Sequence, residues 1–103
     1  MSNLYITEYA EQATDQEGRH ILAGKEPALT IQKVAFTSTA GTSAAFNALT
    51  TFVRIHPDGI AGVLFGTAPT ATTSNSQRIG SGVTEFFGVQ PGQSLKVSAV
   101  TQT

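Results

Sequence analysis

The chain has 103 residues, 40% of them apolar, 13% charged and 8% aromatic, with a formal net charge of −1 and no cysteine. That length holds one domain around one core, and the missing cysteine excludes disulfides and thiolate metal sites. The six cations, Arg19, Lys25, Lys33, Arg54, Arg78 and Lys96, are too scattered to neutralise several phosphates at once, so nucleic acid is not an expected partner.

The charged fraction is about half of the roughly 25% usual for soluble domains, and Thr, Ser, Ala and Gly fill the gap. Hydroxyls leave water far more easily than unpaired ions do. Such a surface suits a protein whose faces are covered by neighbours. The start, Met1-Ser2-Asn3-Leu4-Tyr5, has no basic segment leading into an apolar stretch, so no signal peptide is expected. No apolar run approaches the roughly 20 residues of a membrane span. The expected product is made in the cytoplasm and has no membrane partner.

Residues 1–27 hold five of the seven acidic residues, Glu8, Glu11, Asp15, Glu17 and Glu26. Their apolar content is concentrated in Leu4, Tyr5, Ile6 and Tyr9, which predicts a short strand over 4–9. Residues 10–27 read as irregular. The zone as a whole is expected to be an N-terminal arm, mobile or ordered by a partner. From residue 28 to 103 the texture changes to short β-rich runs between turn signals, predicting a second, all-β unit. Residues 28–37 form the first run, with Thr30, Ile31, Val34 and Phe36. Residues 38–43 are a small-residue loop, and 44–49 fit either one helical turn or a weak strand.

Residues 50–56 and 60–67 read as strands joined by Pro57-Asp58-Gly59, a tight turn with Pro at its second position. This predicts a hairpin over 50–67. Residues 68–77 are a Thr/Ser/Ala loop without a large apolar anchor. Residues 83–89 and 94–100 repeat the layout around Gln90-Pro91-Gly92-Gln93, which has the Pro-Gly pair of a type II turn. No helix-length apolar repeat is present to serve parallel crossovers. The expected fold class is therefore all-β: an antiparallel β-sandwich or small barrel, jelly-roll-like, with an irregular N-terminal arm.

Chemistry is poorly represented. His56-Pro57-Asp58 brings an imidazole and a carboxylate to one turn, but Asp before Gly already serves the turn by bonding its own backbone. Nothing pairs His20 with His56. Glu8/Glu11 and Asp15/Glu17 lie where the chain is expected to be least rigid, which is poor ground for acid–base work. No Gly-x-Ser-x-Gly elbow occurs, and Gly80-Ser81-Gly82 is not a phosphate loop. Neither an enzyme nor a cofactor or metal site is expected. Phe86 and Phe87 are adjacent, so on a strand one ring must face away from the core. Phe86 is taken as that ring, covered by a neighbouring subunit or by the arm.

Three stretches carry a resemblance: Phe52-Val53-Arg54-Ile55-His56; Gly62-Val63-Leu64-Phe65-Gly66-Thr67-Ala68-Pro69-Thr70-Ala71-Thr72; and Thr84-Glu85-Phe86-Phe87-Gly88-Val89-Gln90-Pro91-Gly92-Gln93-Ser94-Leu95-Lys96-Val97. Over residues 50–100 the chain resembles small virion structural proteins of tailed bacteriophages, of the capsid decoration or cement type. The resemblance implies a non-enzymatic protein on the capsid surface. It would bridge neighbouring shell subunits, with the major capsid protein and its own copies, as a dimer or trimer, for partners. Expected interface residues are Leu4, Tyr5, Ile6 and Tyr9 in the arm, Thr70, Ala71, Thr72 and Thr73 in the loop, and Phe86. A neck, tail or fibre-associated β-protein is the nearest alternative, and a carbohydrate-binding module the next. The latter is disfavoured by the absence of Trp and by having two Tyr, both near the N-terminus.

Overall fold

In a computed structural model of the chain, residues 1–102 are described. Among these residues the ten strands are β1 (Ser2–Tyr9), β2 (Gln12–Thr14), β3 (His20–Gly24), β4 (Thr30–Phe36), β5 (Gly41–Thr42), β6 (Phe52–Pro57), β7 (Ala61–Gly66), β8 (Gln77–Ile79), β9 (Glu85–Gly88) and β10 (Lys96–Thr101). All pairings are antiparallel. Four strands form one sheet in the order β4-β1-β6-β9, four form a second in the order β5-β10-β7-β8, and β2 and β3 form a separate hairpin. The fold is an all-β sandwich, jelly-roll-like. No helix occurs among the described residues, and so none long and apolar enough to cross a membrane.

Alternation builds the core. Leu4 and Ile6 of β1, Val34 and Phe36 of β4, and Val53 and Ile55 of β6 sit two residues apart and turn one way. They meet Ala61 and Val63 of β7, Ile79 of β8, and Val97 and Ala99 of β10 from the second sheet. Phe46, from the segment between β5 and β6, enters the same core, and its ring lies 6.3 Å from that of Phe65. Residues 44–49 are thus neither helix nor strand but a plug.

Three expectations are corrected. The first strand is central, bonded to β4 on one side and β6 on the other, so residues 1–27 do not stand apart from the sandwich. Residues 12–24 form a paired hairpin where irregular chain was expected. The Pro turns, moreover, do not close hairpins. β6 and β7 lie in different sheets, as do β9 and β10. The reason is visible at Asp58, whose N–H donates to the Asn3 carbonyl at 3.0 Å while its Oδ1 accepts from the Asn3 N–H at 2.7 Å. The turn is tied to β1 across the sheet, not to its own ends. Gly92 does take the left-handed φ of 73° that a type II turn needs at that position.

Candidate interaction surface

The two sheets turn very different outer faces to the surroundings. On the β5-β10-β7-β8 sheet, the outward residues near the centre are Gly62 and Leu64 of β7 and Ser98 and Val100 of β10, with Gly62 opposite Val100 and Leu64 opposite Ser98. Residues 67–76 fold back over them. Ala71 is 3% exposed, and its N–H donates to Ser98 Oγ at 2.9 Å. A Cβ at Gly62 would strike Ser76 and Gln102, which mark the same close approach. The loop holds its own shape: Asn75 Oδ1 accepts from the Thr72 N–H at 2.7 Å, and Ser76 Oγ donates to the Thr72 carbonyl at 2.6 Å. Thr70, Thr72 and Thr73 remain exposed on its crest.

The outer face of the β4-β1-β6-β9 sheet has no such cover. Strand register lays its side chains out in rows. One row runs Lys33, Tyr5, His56, and the next runs Ile31, Thr7, Arg54, Phe86. A third, Tyr9 and Phe52, lies at the end where the β2–β3 hairpin departs. Ile31 is 74% exposed and Tyr5 38%. His56 Nδ1 and Thr84 Oγ1 share a hydrogen bond of 2.8 Å. Phe86 stacks on Phe52 with centroids 5.4 Å apart and planes at 12°, while Phe87 turns inward to meet Phe65 at 5.0 Å. The split between adjacent rings follows from strand alternation. The half-buried Phe86 finds its cover in Phe52 of the neighbouring strand.

Charge and backbone bonds, rather than a core, give the hairpin its order. At its tip Asp15 Oδ1 accepts the N–H groups of Glu17 and Arg19, each at 2.9 Å, and Gly18 supplies a φ of 82°. Bonding to the Arg19 N–H holds the Asp15 carboxyl below its ordinary range. At the base, the Lys25 ammonium donates to Glu11 at 2.7 Å, lowering the Glu11 pKa and raising that of Lys25. The Tyr9 hydroxyl donates to Glu26 Oε2 at 2.8 Å, and its pKa is raised by burial first and by Glu26 second. Against this ordered frame, Ile21 is 44% and Leu22 72% exposed. They are consecutive in one strand and so point to opposite faces of the hairpin.

The residues singled out from sequence therefore separate. Leu4 and Ile6 are fully buried in the chain's own core and Tyr9 nearly so, which removes them from any surface of the folded chain. Ala71 is likewise turned inward. Tyr5, Thr70, Thr72 and Thr73 are exposed, Phe86 half so, with Tyr5 and Phe86 on one side of the sandwich and the threonines on the other. Sequence reading missed Ile21, Leu22 and Ile31 as a set. The signal available was a hydrophobic pair, Ile21-Leu22, inside an otherwise polar stretch.

Glu8 was missed as well. It is fully buried on the inner side of β1. Its Oε1 accepts from the Asn47 N–H at 2.7 Å and the Thr50 hydroxyl at 2.9 Å, and its Oε2 accepts from Gln32 Nε2 at 2.8 Å. The period that places Leu4 and Ile6 inward places Glu8 there too. Three neutral donors replace the water it gave up, so this is a structural clamp on residues 43–50.

Among the described residues there is no cavity and no group of three or more His, Cys, Asp or Glu side chains placed to hold a metal ion. No protein family, no curated protein and no solved structure matches the chain.

Proposed function

We propose that this protein is a structural component of a tailed-phage virion, a head decoration or cement protein that stabilises the capsid by covering and bridging neighbouring shell subunits. The observation that carries the reading is the set of large aliphatic side chains, Ile21, Leu22, Ile31 and Leu49, left exposed on an otherwise well-filled sandwich. Fully covering one such side chain contributes about 1.5–3 kcal/mol. On a shell the same contact recurs in every copy, so modest individual contacts accumulate through avidity. The crest of residues 67–76, held rigid by Asn75 and Ser98, adds a preformed contact that loses little entropy when covered.

The test is genetic and compositional. Phage particles made without this chain should lack a band present in many copies per capsid and should lose DNA on milder heating, and the purified chain added back should restore both. A band at only a few copies per particle would favour a neck or tail position. Particles whose composition does not change would overturn the virion reading.

A further inference from the structure

We propose that the open face of the β4-β1-β6-β9 sheet receives the β2–β3 hairpin of a second copy of this chain. This deepens the reading above and rests on it, taking a second copy of the chain as one of the neighbours it covers. The hairpin has two strands and no third, an arrangement only marginally stable alone in water. Leu22 is uncovered by its own chain. The open face is likewise uncovered at Ile31 and Tyr5. Both surfaces are ordered, apolar in part and unpartnered.

Charge decides which surface meets which. Residues 10–27 carry four carboxylates, Glu11, Asp15, Glu17 and Glu26, against two cations, Arg19 and Lys25. The middle rows of the open face carry Lys33, Arg54 and His56 and no carboxylate. A hairpin laid on a hairpin would place like charges together, and so would a face laid on a face. A hairpin on a face pairs opposite signs and covers Leu22 against Ile31 and Tyr5 in one contact.

Dimensions agree. A five-residue strand such as β3 is about 17 Å long, and the three gaps between four strands span about 14 Å. One hairpin thus crosses one face. A chain's own hairpin is held away from its own middle rows: Tyr9–Glu26 and Glu11–Lys25 pin its base beside the Tyr9–Phe52 row. The contact uses different patches on the two copies. Such a contact closes as a reciprocal pair or a ring where its rotation permits and otherwise extends as a filament.

Sedimentation of the full-length chain over a concentration series tests this. The unmodified chain should associate reversibly. Leu22→Lys, which spoils the hairpin, and Ile31→Glu with Lys33→Glu, which spoils the face, should each weaken association on the order of tenfold or more, as expected for loss of one buried aliphatic contact. All of these positions are exposed, and unchanged thermal unfolding midpoints would show that the variants fold.

The decisive arm is the mixture. Each variant keeps the surface the other lacks, so equal amounts should form one-to-one dimers at a concentration where each alone is monomeric. An unmodified chain that stays monomeric at every concentration overturns the proposal. So does association that neither variant weakens, and so does a mixture that fails to dimerise. None of these results bears on whether the chain is found in virions, which the particle composition reads independently.

Discussion

The two outer faces of this sandwich start from the same architecture and end differently. Where β7 and β10 place Gly62 opposite Val100 and Ser98 opposite Leu64, the missing side chain at Gly62 lets Ser76 and Gln102 come close, and the Ser98 hydroxyl fixes the loop through the Ala71 N–H. Where β1, β4 and β6 place Tyr5, Lys33, Ile31 and Arg54, long side chains stand up from the sheet and nothing from the same chain lies across the middle. One face is completed by the chain itself. The other stays open. A glycine that admits the loop and a hydroxyl that binds it set the covered face apart.

The largest effect is expected beneath both faces, at Glu8. Replacing it with Ala removes the acceptor from the Asn47 N–H, the Thr50 hydroxyl and the Gln32 amide together. A buried donor left unpaired costs about 1–3 kcal/mol; Thr50 is fully buried whereas Asn47 and Gln32 are reached by water, so Glu8→Ala should lower the unfolding free energy by about 3 kcal/mol in urea titrations. A loss near zero would mean that residues 43–50 do not depend on this clamp.

Next comes the covered face. Ser98→Ala leaves the Ala71 N–H buried without an acceptor and should cost about 1–3 kcal/mol. Limited proteolysis should then cut within residues 67–76 before the rest of the chain opens. If cleavage there is no faster, the loop is held by apolar contact at Pro69 and Ala71 rather than by the hydroxyl.

These two predictions fall on features that differed in how far the sequence disclosed them. The strands of both sheets were legible because inward residues recur at every second position: Leu4 and Ile6, Val34 and Phe36, Val53 and Ile55, Val97 and Ala99. The connection through Pro57-Asp58-Gly59 was not. Turn chemistry is local and fits a hairpin or a crossing between sheets equally well, and the choice lies in the long-range bonds from Asp58 to Asn3. The β2–β3 hairpin was hidden for another reason. Its order comes from Asp15 binding backbone N–H groups and from the Lys25–Glu11 pair, neither of which leaves an apolar period. For the surface, Tyr5 and Phe86 could be placed by alternation alone, whereas Leu4 and Ile6 were misjudged. An apolar pair near a chain terminus looks the same in sequence whether it docks on a partner or fills the centre of its own sheet.

On the open face, stability should barely register the changes that matter for association. Ile31→Ser removes a side chain that is mostly in water, and surface substitutions of this kind stay within about 0.5 kcal/mol. Its unfolding midpoint should match the unmodified chain while its sedimentation shifts towards the monomer. A clear loss of stability would place Ile31 in a contact within its own chain and narrow the difference between the two faces.

The smallest effect concerns pH, and it separates the hairpin from the covered face. Asp15 and Glu11 both have pKa values lowered in the folded hairpin, by the Arg19 N–H and by Lys25 respectively. A carboxyl with a lowered folded pKa adds stability that is complete above its ordinary range and disappears as the pH falls through the folded value. Lys25 is raised by Glu11, so its contribution is complete below the ordinary lysine range and fades as the pH climbs through the folded value. The hairpin should therefore be best ordered between those two ranges and loosen on acidification, with added salt weakening the effect because the groups are in water. The Glu17 and Arg19 amide proton shifts should report that loosening by NMR, while the Ala71 amide, bonded to a hydroxyl that does not titrate, keeps its position. If all three move together, the hairpin and the sandwich respond to acid as one unit.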